Sequence, residues 1–252
     1  MQNAIAKTLE YSKNLIISPD VDGFISAELL NRKYGSVVVG TYDKNILTLS
    51  DDIDPAECLF VDCDMNTKDF VSIGNHMRLQ EDNMADTSFN PNRFFGTSVY
   101  WKKFPYATCF LISATIEIDL DTYDLKRMAH ADSTLINMIK YGDNMRSWSS
   151  RLRLSDIETI LDQSIDITDI QTKYPTQSFT SKRFGKERYI NTLNEAMERE
   201  GLAFREIVGG KKYLADMIGK PTMMKYNQDI ISYAEVYTGE YSVTYDQEIE
   251  FR

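Results

Sequence analysis

Short apolar runs alternate with helix-like stretches through the first part of the chain. Residues 14–18 and 36–41 are apolar runs typical of buried strands, and residues 23–34 between them carry apolar side chains at helical spacing. Two further apolar runs, at residues 58–62 and 70–73, extend the series. A strand, a helix and a strand of these lengths form a right-handed crossover between parallel strands. The pattern therefore predicts an α/β fold, with a parallel sheet and flanking helices.

The rest of the chain is predicted to contain more helix and a small mixed region. The elements expected there are helices over 106–116, 123–148 (one or two, carrying His130, Asp132 and Asp143), 156–163, 186–200 and 211–218, a linker over 171–184, and a hairpin with strands over 230–237 and 240–245. The length allows a main domain with a smaller partner. We therefore divide the chain into an α/β domain (1–150), a helical connector and linker (151–184), and a small α+β C-terminal domain (185–252).

The composition is that of an ordinary soluble globular protein, with 42% hydrophobic and 26% charged residues. Acidic residues outnumber basic ones by 38 to 28, and the formal charge of −10 disfavours a long nucleic-acid partner. No apolar run approaches the roughly 18 residues that span a bilayer, and the N-terminus lacks a signal-peptide core, so we expect a cytoplasmic protein without a membrane partner. The three cysteines, Cys58, Cys63 and Cys109, form no C-x-x-C pair, which favours buried, reduced thiols.

Carboxylates and one imidazole follow the predicted strands. Asp20 and Asp22 come directly after the first strand, Asp62 and Asp64 come at the end of the third, and His76 follows the fourth. Because parallel strands present their carboxyl ends at one edge of the sheet, we expect these side chains to meet there. Carboxylate oxygens with one nitrogen are a ligand set that suits Mn²⁺ or Mg²⁺.

Simpler interpretations stay open for single members of this set. Asp20 and Asp22 also fit the acidic N-terminus of the helix that follows them. His76 on its own is equally compatible with a hydrogen-bonded position in a loop. His130 either lies beside Asp132 in the site or faces solvent on a helix.

Taken together, these residues resemble the motifs of the DHH phosphoesterase superfamily. The segment Ser-Pro-Asp-Val-Asp-Gly at residues 18–23 is similar to the family's His-x-Asp-x-Asp-Gly motif, with serine in place of the histidine. Asp62 matches the strand-terminal aspartate of the second motif. The segment Asn-His-Met at residues 75–77 stands where the family has Asp-His-His, and it keeps only the middle histidine.

The likeness extends over roughly residues 14–135. An Asn-Pro dipeptide at residues 90–91 and a basic, aromatic stretch at residues 100–108 resemble the segment that follows the third motif in the family. Asp132 is the counterpart of the aspartate in the fourth motif. Divergent DHH-like sequences of this kind resemble proteins of phages and mobile elements.

The resemblance implies two adjacent metal ions, usually Mn²⁺, that share Asp62. The ligands of one ion would be Asp22, Asp62, His76 and Asp132. The other ion would be held by Asp20 and Asp62 without the family's histidine, so we expect one well-formed site and one doubtful one. Catalysis would then depend on Asp20, Asp62 and His76.

A carboxylate-lined metal site that holds an anionic substrate also needs positive charge nearby. The candidate substrate-binding residues are Asn75, Asn90, Arg93, Lys102 and Lys103. We expect a phosphoesterase or phosphodiesterase that acts on a nucleotide, a cyclic dinucleotide or a short oligonucleotide. The alternative is a catalytically inactive protein that binds a phosphorylated ligand or serves as an interaction or structural module, with an exposed strand edge as a route to homo-oligomers.

Overall fold

The computed structural model describes most of the chain up to residue 154 and short stretches beyond it. The described residues are 2–42, 46–50, 53–65, 67–78, 84–94, 101–132, 134–154, 198, 203, 212–217, 236–237 and 241–245. The helices are α1 (Gln2–Leu9), α2 (Val21–Tyr34), α3 (Thr108–Ile116), α4 (Thr122–His130) and α5 (Thr134–Leu152). The strands are β1 (Asn14–Ile17), β2 (Val37–Tyr42), β3 (Ile46–Leu49), β4 (Leu59–Val61), β5 (Val71–Ile73), β6 (Met77–Arg78), β7 (Lys212–Met217), β8 (Val236–Tyr237) and β9 (Tyr241–Tyr245). Short 3-10 turns lie at Pro55–Glu57 and Pro91–Phe94.

The parallel strands lie in the order β5–β4–β1–β2. Strand β3 pairs antiparallel with β2, and β7 and β9 extend the same sheet beyond it, also antiparallel. The predicted α/β fold around a parallel sheet is therefore confirmed. From β1 the chain proceeds to β2 on one side, whereas β4 lies on the other side of β1. The carboxyl ends of β1 and β4 therefore flank a topological switch point, which is where open α/β sheets bind ligands.

The strands bury both of their faces. In β1, Leu15 and Ile17 belong to the apolar cluster formed with the helices, whereas Ile16 belongs to a second cluster on the opposite face. Strand β4 alternates in the same way, with Phe60 on the face of Ile16. This period of two follows from the pleat of a strand, and burial on both faces explains why these segments are continuously apolar in the sequence.

Helix α2 is set between two well-defined ends. The Asp20 carboxylate accepts a hydrogen bond from the Gly23 backbone N–H at 3.0 Å, and this cap starts the helix at Val21. At the other end Gly35 adopts a left-handed conformation with φ 69°, and its N–H donates to the carbonyl of Asn31. The helix predicted over residues 23–34 is confirmed, and it begins two residues earlier because Asp20 is its cap.

Most predicted elements of the first part are found, but the position of Asp132 differs from the prediction, and this difference matters for the site. The stretch 123–148 forms two helices, α4 and α5, with a kink in α5 at Tyr141. Asp132 lies in the turn between the two helices and not on a helix, with φ 52°. Helix α1 and strands β3 and β6 were not predicted. The two strands are too short for their periodicity to identify them.

Two predictions for the C-terminal part are wrong. The helix expected over 211–218 is strand β7, which pairs with β3 and β9. The expected hairpin is not formed by the described residues, because β9 pairs with β7 whereas β8 pairs parallel with β6 in a separate two-stranded sheet. Six residues are too few to separate a helical from an alternating pattern, and strand partners distant in sequence decided the outcome. The predicted helix over 156–163 and linker over 171–184 lie outside the described residues, as does the 186–200 helix apart from residue 198.

All three cysteines are buried and none forms a disulfide, as predicted. Among the described residues, no helix is both long enough and apolar enough to cross a membrane.

Candidate metal centre

Three aspartates converge at the switch point of the sheet. Asp22 lies in the first turn of α2, Asp62 directly follows β4, and Asp132 lies between α4 and α5. One carboxylate oxygen from each lies within 4.8 Å of the others, which is close enough for all three to contact one ion. Asp22 and Asp62 are 1% and 0% exposed, whereas Asp132 is exposed, so the cluster opens to solvent on the side of Asp132.

Strained backbone places two of the three carboxylates. Asp62 and Asp132 have φ values of 56° and 52°, in the left-handed region that residues other than glycine rarely adopt. Asp is among the more tolerant residues there, yet such conformations still cost free energy and persist where the surrounding structure holds them. Two of them in one cluster of three carboxylates are typical of a site whose geometry was selected for something other than stability.

The third carboxylate, Asp22, also caps a helix distant in sequence. Its Oδ2 accepts a hydrogen bond from the Thr108 backbone N–H at 2.6 Å, and its Oδ1 accepts one from Cys109 N–H at 2.8 Å. Helix α3 starts after Ala107, which has no side chain able to cap it, and Asp22 supplies that cap across the fold. The Thr108 hydroxyl in turn donates to Oδ1 of Asp62 at 2.9 Å. The N-terminus of α3 therefore holds two of the three carboxylates in place.

Burial, together with neighbouring negative charge, raises the pKa of Asp22 to about 7 from an ordinary value of 3.8. Burial is the largest cause, followed by the charges of Asp132 and Asp20, and the hydrogen bonds from Thr108 and Cys109 only partly oppose it. A divalent cation among the carboxylates would favour their charged forms and remove this penalty.

Asp20 is close enough to raise the pKa of Asp22, but it is not a member of the converging group. Its Oδ1 caps α2 through Gly23, and its Oδ2 accepts a hydrogen bond from the Ser18 hydroxyl at 2.6 Å. A side chain on residue 23 would collide with the carbonyl oxygen of Ser18, so glycine is required for this tight turn. Asp20 is therefore the cap of α2, which is the simpler interpretation that the sequence left open. Asp22 is also a helix cap, but it caps α3 and not α2.

His76 also lies outside the converging group. Its Nδ1 is 2.8 Å from Oδ2 of Asp64, and the same oxygen accepts the backbone N–H of His76 at 3.0 Å. Oδ1 of Asp64 accepts a hydrogen bond from the Asn90 side chain at 2.6 Å. Asp64 is 0% exposed and the His76 side chain is 12% exposed, so a fully buried carboxylate holds a partly accessible imidazole.

Amide side chains join this pair to the carboxylates. The Asn75 side chain donates to Oδ2 of Asp132 at 3.0 Å and to the carbonyl of Tyr106 at 2.8 Å. The Asn90 side chain donates to the carbonyl of His76 at 2.8 Å as well as to Asp64. Both amides are buried and engaged within the protein, and a role for Asn75 or Asn90 in substrate binding stays a prediction.

The predicted cationic residues lie next to residues that belong to the same network or pack beside it. Asn92 donates to the carbonyl of Asn75 and accepts a hydrogen bond from the Phe104 backbone N–H. The carbonyl of Lys102 accepts a hydrogen bond from the Trp148 indole, so the backbone next to the lysines is held. The Lys102 side chain is exposed, and those of Lys103 and Arg93 are half-buried.

Thr108 contributes to the site although the sequence gave it no role, and Asp64, expected among the strand-end carboxylates, contributes through His76. Thr108 gave only the signal that it lies near the start of a predicted helix, and no pattern relates it to Asp22 or Asp62. Asp64 was visible as a carboxylate after β4, but its hydrogen bond to His76 depends on Gly74. A Cβ on residue 74 would come within 2.5 Å of Asp64 Oδ2, so the close approach of the two segments requires glycine.

The donor set fits a hard divalent cation. Three carboxylates offer oxygen ligands, which Mn²⁺ and Mg²⁺ prefer over sulfur. The nearby Cys109 thiol has its pKa raised well above the usual value by burial and by Asp22, so it stays protonated and does not compete as a thiolate ligand. The fold and this cluster define an α/β protein with an acidic, metal-compatible centre at the switch point of its sheet. Comparison of the chain with protein-family models, curated proteins and solved structures gives no match.

Proposed function

We propose that the protein is a divalent-metal-dependent phosphoester hydrolase that acts on a nucleotide, a cyclic dinucleotide or a short oligonucleotide. The observation that carries this proposal is the convergence of Asp22, Asp62 and Asp132 within 4.8 Å at the carboxyl edge of the sheet. The motif resemblance to DHH phosphoesterases assigns these three aspartates, together with His76, to one ion, and it supports a DHH-like fold for the first 150 residues or so.

The three aspartates would hold the ion, which is Mn²⁺ or Mg²⁺. Such an ion, when bound, lowers the pKa of a coordinated water and neutralises charge on the phosphoryl oxygens. Thr108 and Asn75 would keep Asp62 and Asp132 oriented, as hydrogen-bonding partners of metal ligands do. Arg93, Lys102 and Lys103 supply positive charge for the remaining phosphate oxygens of a small substrate.

One ion per chain is the stoichiometry that this geometry supports. A second ion would need Asp20, whose oxygens accept hydrogen bonds from Gly23 and Ser18. Serine at position 18 also removes the nitrogen ligand that the resembling family provides there. The proposal is therefore a single-metal hydrolase.

One observation favours the alternative, in which the protein binds a phosphorylated ligand without turnover. Met77 stands where the resembling family has its last histidine, and it is 2% exposed. It cannot donate or accept a proton, so any proton transfer has to come from another residue.

The test is calorimetric titration of the metal-free protein with Mn²⁺, followed by hydrolysis assays on bis(p-nitrophenyl) phosphate and on cyclic dinucleotides. Asp62→Asn is the test variant, because asparagine tolerates a left-handed backbone and can still accept the hydrogen bond from Thr108. Asp86→Asn is the matched control, since it removes the same charge from an exposed position.

We expect saturable binding of one Mn²⁺ per chain, at least tenfold weaker in Asp62→Asn and unchanged in Asp86→Asn. Metal binding without hydrolysis of any phosphodiester would favour the binding protein. Absence of binding at millimolar Mn²⁺ would remove the basis of the proposal.

A further inference from the structure

A basic, aromatic stretch of surface lies along helix α5 and the segment that precedes α3. Trp101 is 54% exposed, and it is one of two large hydrophobic side chains that are exposed in the described part of the chain. Lys102 beside it is exposed as well. Acidic residues outnumber basic ones by 38 to 28 in the whole chain, but residues 101–107 and 134–154 reverse this balance. They contain one acidic residue, Asp143, and six basic ones: Lys102, Lys103, Lys140, Arg146, Arg151 and Arg153.

Contacts with α5 determine how the segment 101–107 runs. Four side chains of the helix hydrogen-bond to the backbone of the segment, in reverse order along the chain. Thr134 accepts the N–H of Ala107 at 3.1 Å, and Asn137, Asn144 and Trp148 donate to the carbonyls of Pro105, Lys103 and Lys102 at 2.7, 2.8 and 3.2 Å. The segment is therefore antiparallel to the helix, and its backbone is fixed on the side that faces the helix.

These contacts also give the distance between Trp101 and the metal centre. The end at residue 107 adjoins the carboxylates, because the hydroxyl of Thr108 contacts Asp62 at 2.9 Å. Fourteen residues separate the first and the last of the four helix side chains, which is a rise of about 21 Å in a straight helix, and the kink in α5 shortens it. Six residues of extended chain span at most about 22 Å. Trp101 therefore lies roughly 15–20 Å from the cluster.

The far end of the segment presents an aromatic ring between two cations. The buried Trp148 packs against Phe104 with ring centroids 5.3 Å apart, and the guanidinium of Arg151 lies 5.3 Å from the centroid of the Trp148 ring. Since the Trp148 indole also holds the carbonyl of Lys102, one fixed ring connects Arg151 to Lys102 and its neighbour Trp101. We call the exposed side chains of Trp101, Lys102 and Arg151 the Trp101 surface.

An exposed ring beside cations on a fixed backbone matches the chemistry of a single-stranded nucleic acid. Cations contact the phosphates of such a strand, and aromatic rings stack on its bases. A membrane would require an apolar helix face, whereas Met145, Trp148 and Leu152 of α5 belong to the core. An acidic protein would use the cations, but one exposed ring is a small centre for a protein interface.

We propose that the Trp101 surface binds a single-stranded nucleic acid that extends from there to the carboxylate cluster. One base stacks on Trp101, and Lys102 and Arg151 contact phosphates of nucleotides beyond the one at the ion. For turnover this inference rests on the proposed function, and it narrows the substrate to a strand. At about 3.4 Å per stacked nucleotide, the distance to the cluster corresponds to roughly four to six nucleotides. A mononucleotide or a cyclic dinucleotide bound at the carboxylates does not extend to Trp101.

The first test measures binding in EDTA, so that turnover does not interfere. Fluorescein-labelled hexamers of thymidylate and of uridylate, and an abasic hexamer of sugar and phosphate, are titrated with the full chain at about 50 mM salt and followed by anisotropy. We expect binding of both hexamers that carry bases, and at least about tenfold weaker binding of the abasic one. Trp101→Ala should weaken hexamer binding about tenfold, whereas Trp101→Phe should stay within about threefold of wild type because a phenyl ring still stacks.

Matched variants distinguish this surface from charge or aromatic area elsewhere. Tyr34→Ala removes the other exposed large ring, which is 50% exposed. Arg146→Gln removes a charge from α5 about 200° around the helix axis from Trp148. Both should bind the hexamers within about twofold of wild type, whereas Lys102→Gln and Arg151→Gln should each reduce the slope of log affinity against log salt by about one.

Turnover provides a second readout that a purely structural role of Trp101 would not give. On the Mn²⁺-loaded protein, Trp101→Ala should raise KM for the hexamer about tenfold and leave kcat within about twofold. Hydrolysis of bis(p-nitrophenyl) phosphate should be unchanged, because this small ester does not reach residue 101. The variant should keep the Tm of wild type, since the ring that it removes is exposed.

Each outcome assigns failure to one proposal. Equal affinity of Trp101→Ala and Tyr34→Ala for the hexamers, or equal affinity of wild type for the abasic hexamer, would overturn the inference. Absence of hexamer binding up to about 100 µM protein would also overturn it, and binding of phosphatidylserine vesicles or of hexaglutamate instead would assign the surface to a membrane or an acidic protein. Hexamer binding that depends on Trp101 without any turnover would overturn the hydrolase proposal alone.

Discussion

Asp22 performs two tasks that oppose each other in the absence of a cation. As the cap of α3 it gains two short hydrogen bonds, and as a member of the cluster it is buried beside other negative charge. The balance raises the pKa of Asp22 to about 7, so between its unfolded value of 3.8 and this value the folded protein binds more protons than the unfolded chain. The cluster therefore weakens the metal-free fold near neutral pH.

The first prediction concerns the pH dependence of the metal-free protein. Because the folded pKa is raised, Asp22 should lower the free energy of unfolding as pH rises from about 4 to about 7, by up to about 1.4 kcal/mol per pH unit. Urea unfolding at several pH values measures this slope. Asp22→Asn should remove this part of the slope. The variant should also be less stable at every pH, because its amide nitrogen would face a backbone N–H donor. An unchanged slope in Asp22→Asn would contradict the prediction.

The second prediction concerns the hydroxyl of Thr108. Thr108→Val keeps the shape of the side chain but removes the donor to the buried Asp62, so we expect a loss of about 1.5–3 kcal/mol in the free energy of unfolding. Thr115→Val is the control in the same helix, since the Thr115 hydroxyl donates only to the carbonyl of Leu111 one turn earlier. Chemical denaturation of both variants compares them, and equal losses would show that the contact with Asp62 is not special.

At the scale of single elements, the N-termini of two helices position the residues of the site. Helix α2 begins where Asp20 caps it, and this places Asp22 in its first turn. Helix α3 begins where Asp22 caps it, and this brings Thr108 to Asp62. The site is thus assembled by two consecutive N-termini, whose partial positive charge also favours the carboxylates.

The third prediction separates the cap from the metal site. Asp20→Asn keeps a good capping residue and should leave stability nearly unchanged, whereas Asp20→Ala should cost about 1 kcal/mol of unfolding free energy. Neither variant should alter the binding of one Mn²⁺ per chain, because Asp20 is outside the converging group. Thermal denaturation and calorimetric titration test the two statements. A change in stoichiometry from two ions to one would identify Asp20 as a ligand of a second ion.

At the scale of the whole molecule, the site lies at the switch point that the strand order creates. The order β5–β4–β1–β2 places Asp62 after β4 beside Asp22 after β1, and α4 and α5 bring Asp132 from a distant part of the chain. An ion bound there would add a further link between segments that are distant in the chain. Metal binding and the stability of the fold are therefore coupled.

The fourth prediction follows from this coupling. At a free Mn²⁺ concentration about 100 times the dissociation constant, the folded state should gain about 2.7 kcal/mol, and Tm should rise with Mn²⁺ concentration. Differential scanning fluorimetry across a Mn²⁺ series measures the shift. Asp62→Asn should lose at least about half of this gain at the same Mn²⁺ concentration, because its affinity is at least tenfold lower, and Asp86→Asn should retain it. A shift of equal size in both variants would mean that Mn²⁺ acts at some other place.

Local sequence patterns predicted some elements of this structure correctly and failed for others. The strands β1, β2, β4 and β5 were predicted because apolar residues buried on both faces leave an unbroken run in the sequence. Strand β7 was predicted as a helix because its six residues have no decisive period and its pairing with β3 is a long-range contact. Asp132 was assigned to the site by motif likeness alone, and the helix break that places it could not be read from the sequence.

What the sequence by itself determined is the set of parallel strands and the acids that follow them, because burial and backbone geometry act over a few neighbouring residues. The tertiary structure alone decided which acids meet. Asp22, Asp62 and Asp132 converge, Asp20 stays at its helix cap, and His76 pairs with Asp64. These outcomes depend on distances between segments far apart in the chain, on two left-handed aspartates and on glycines that permit close approach, and no local pattern encodes them.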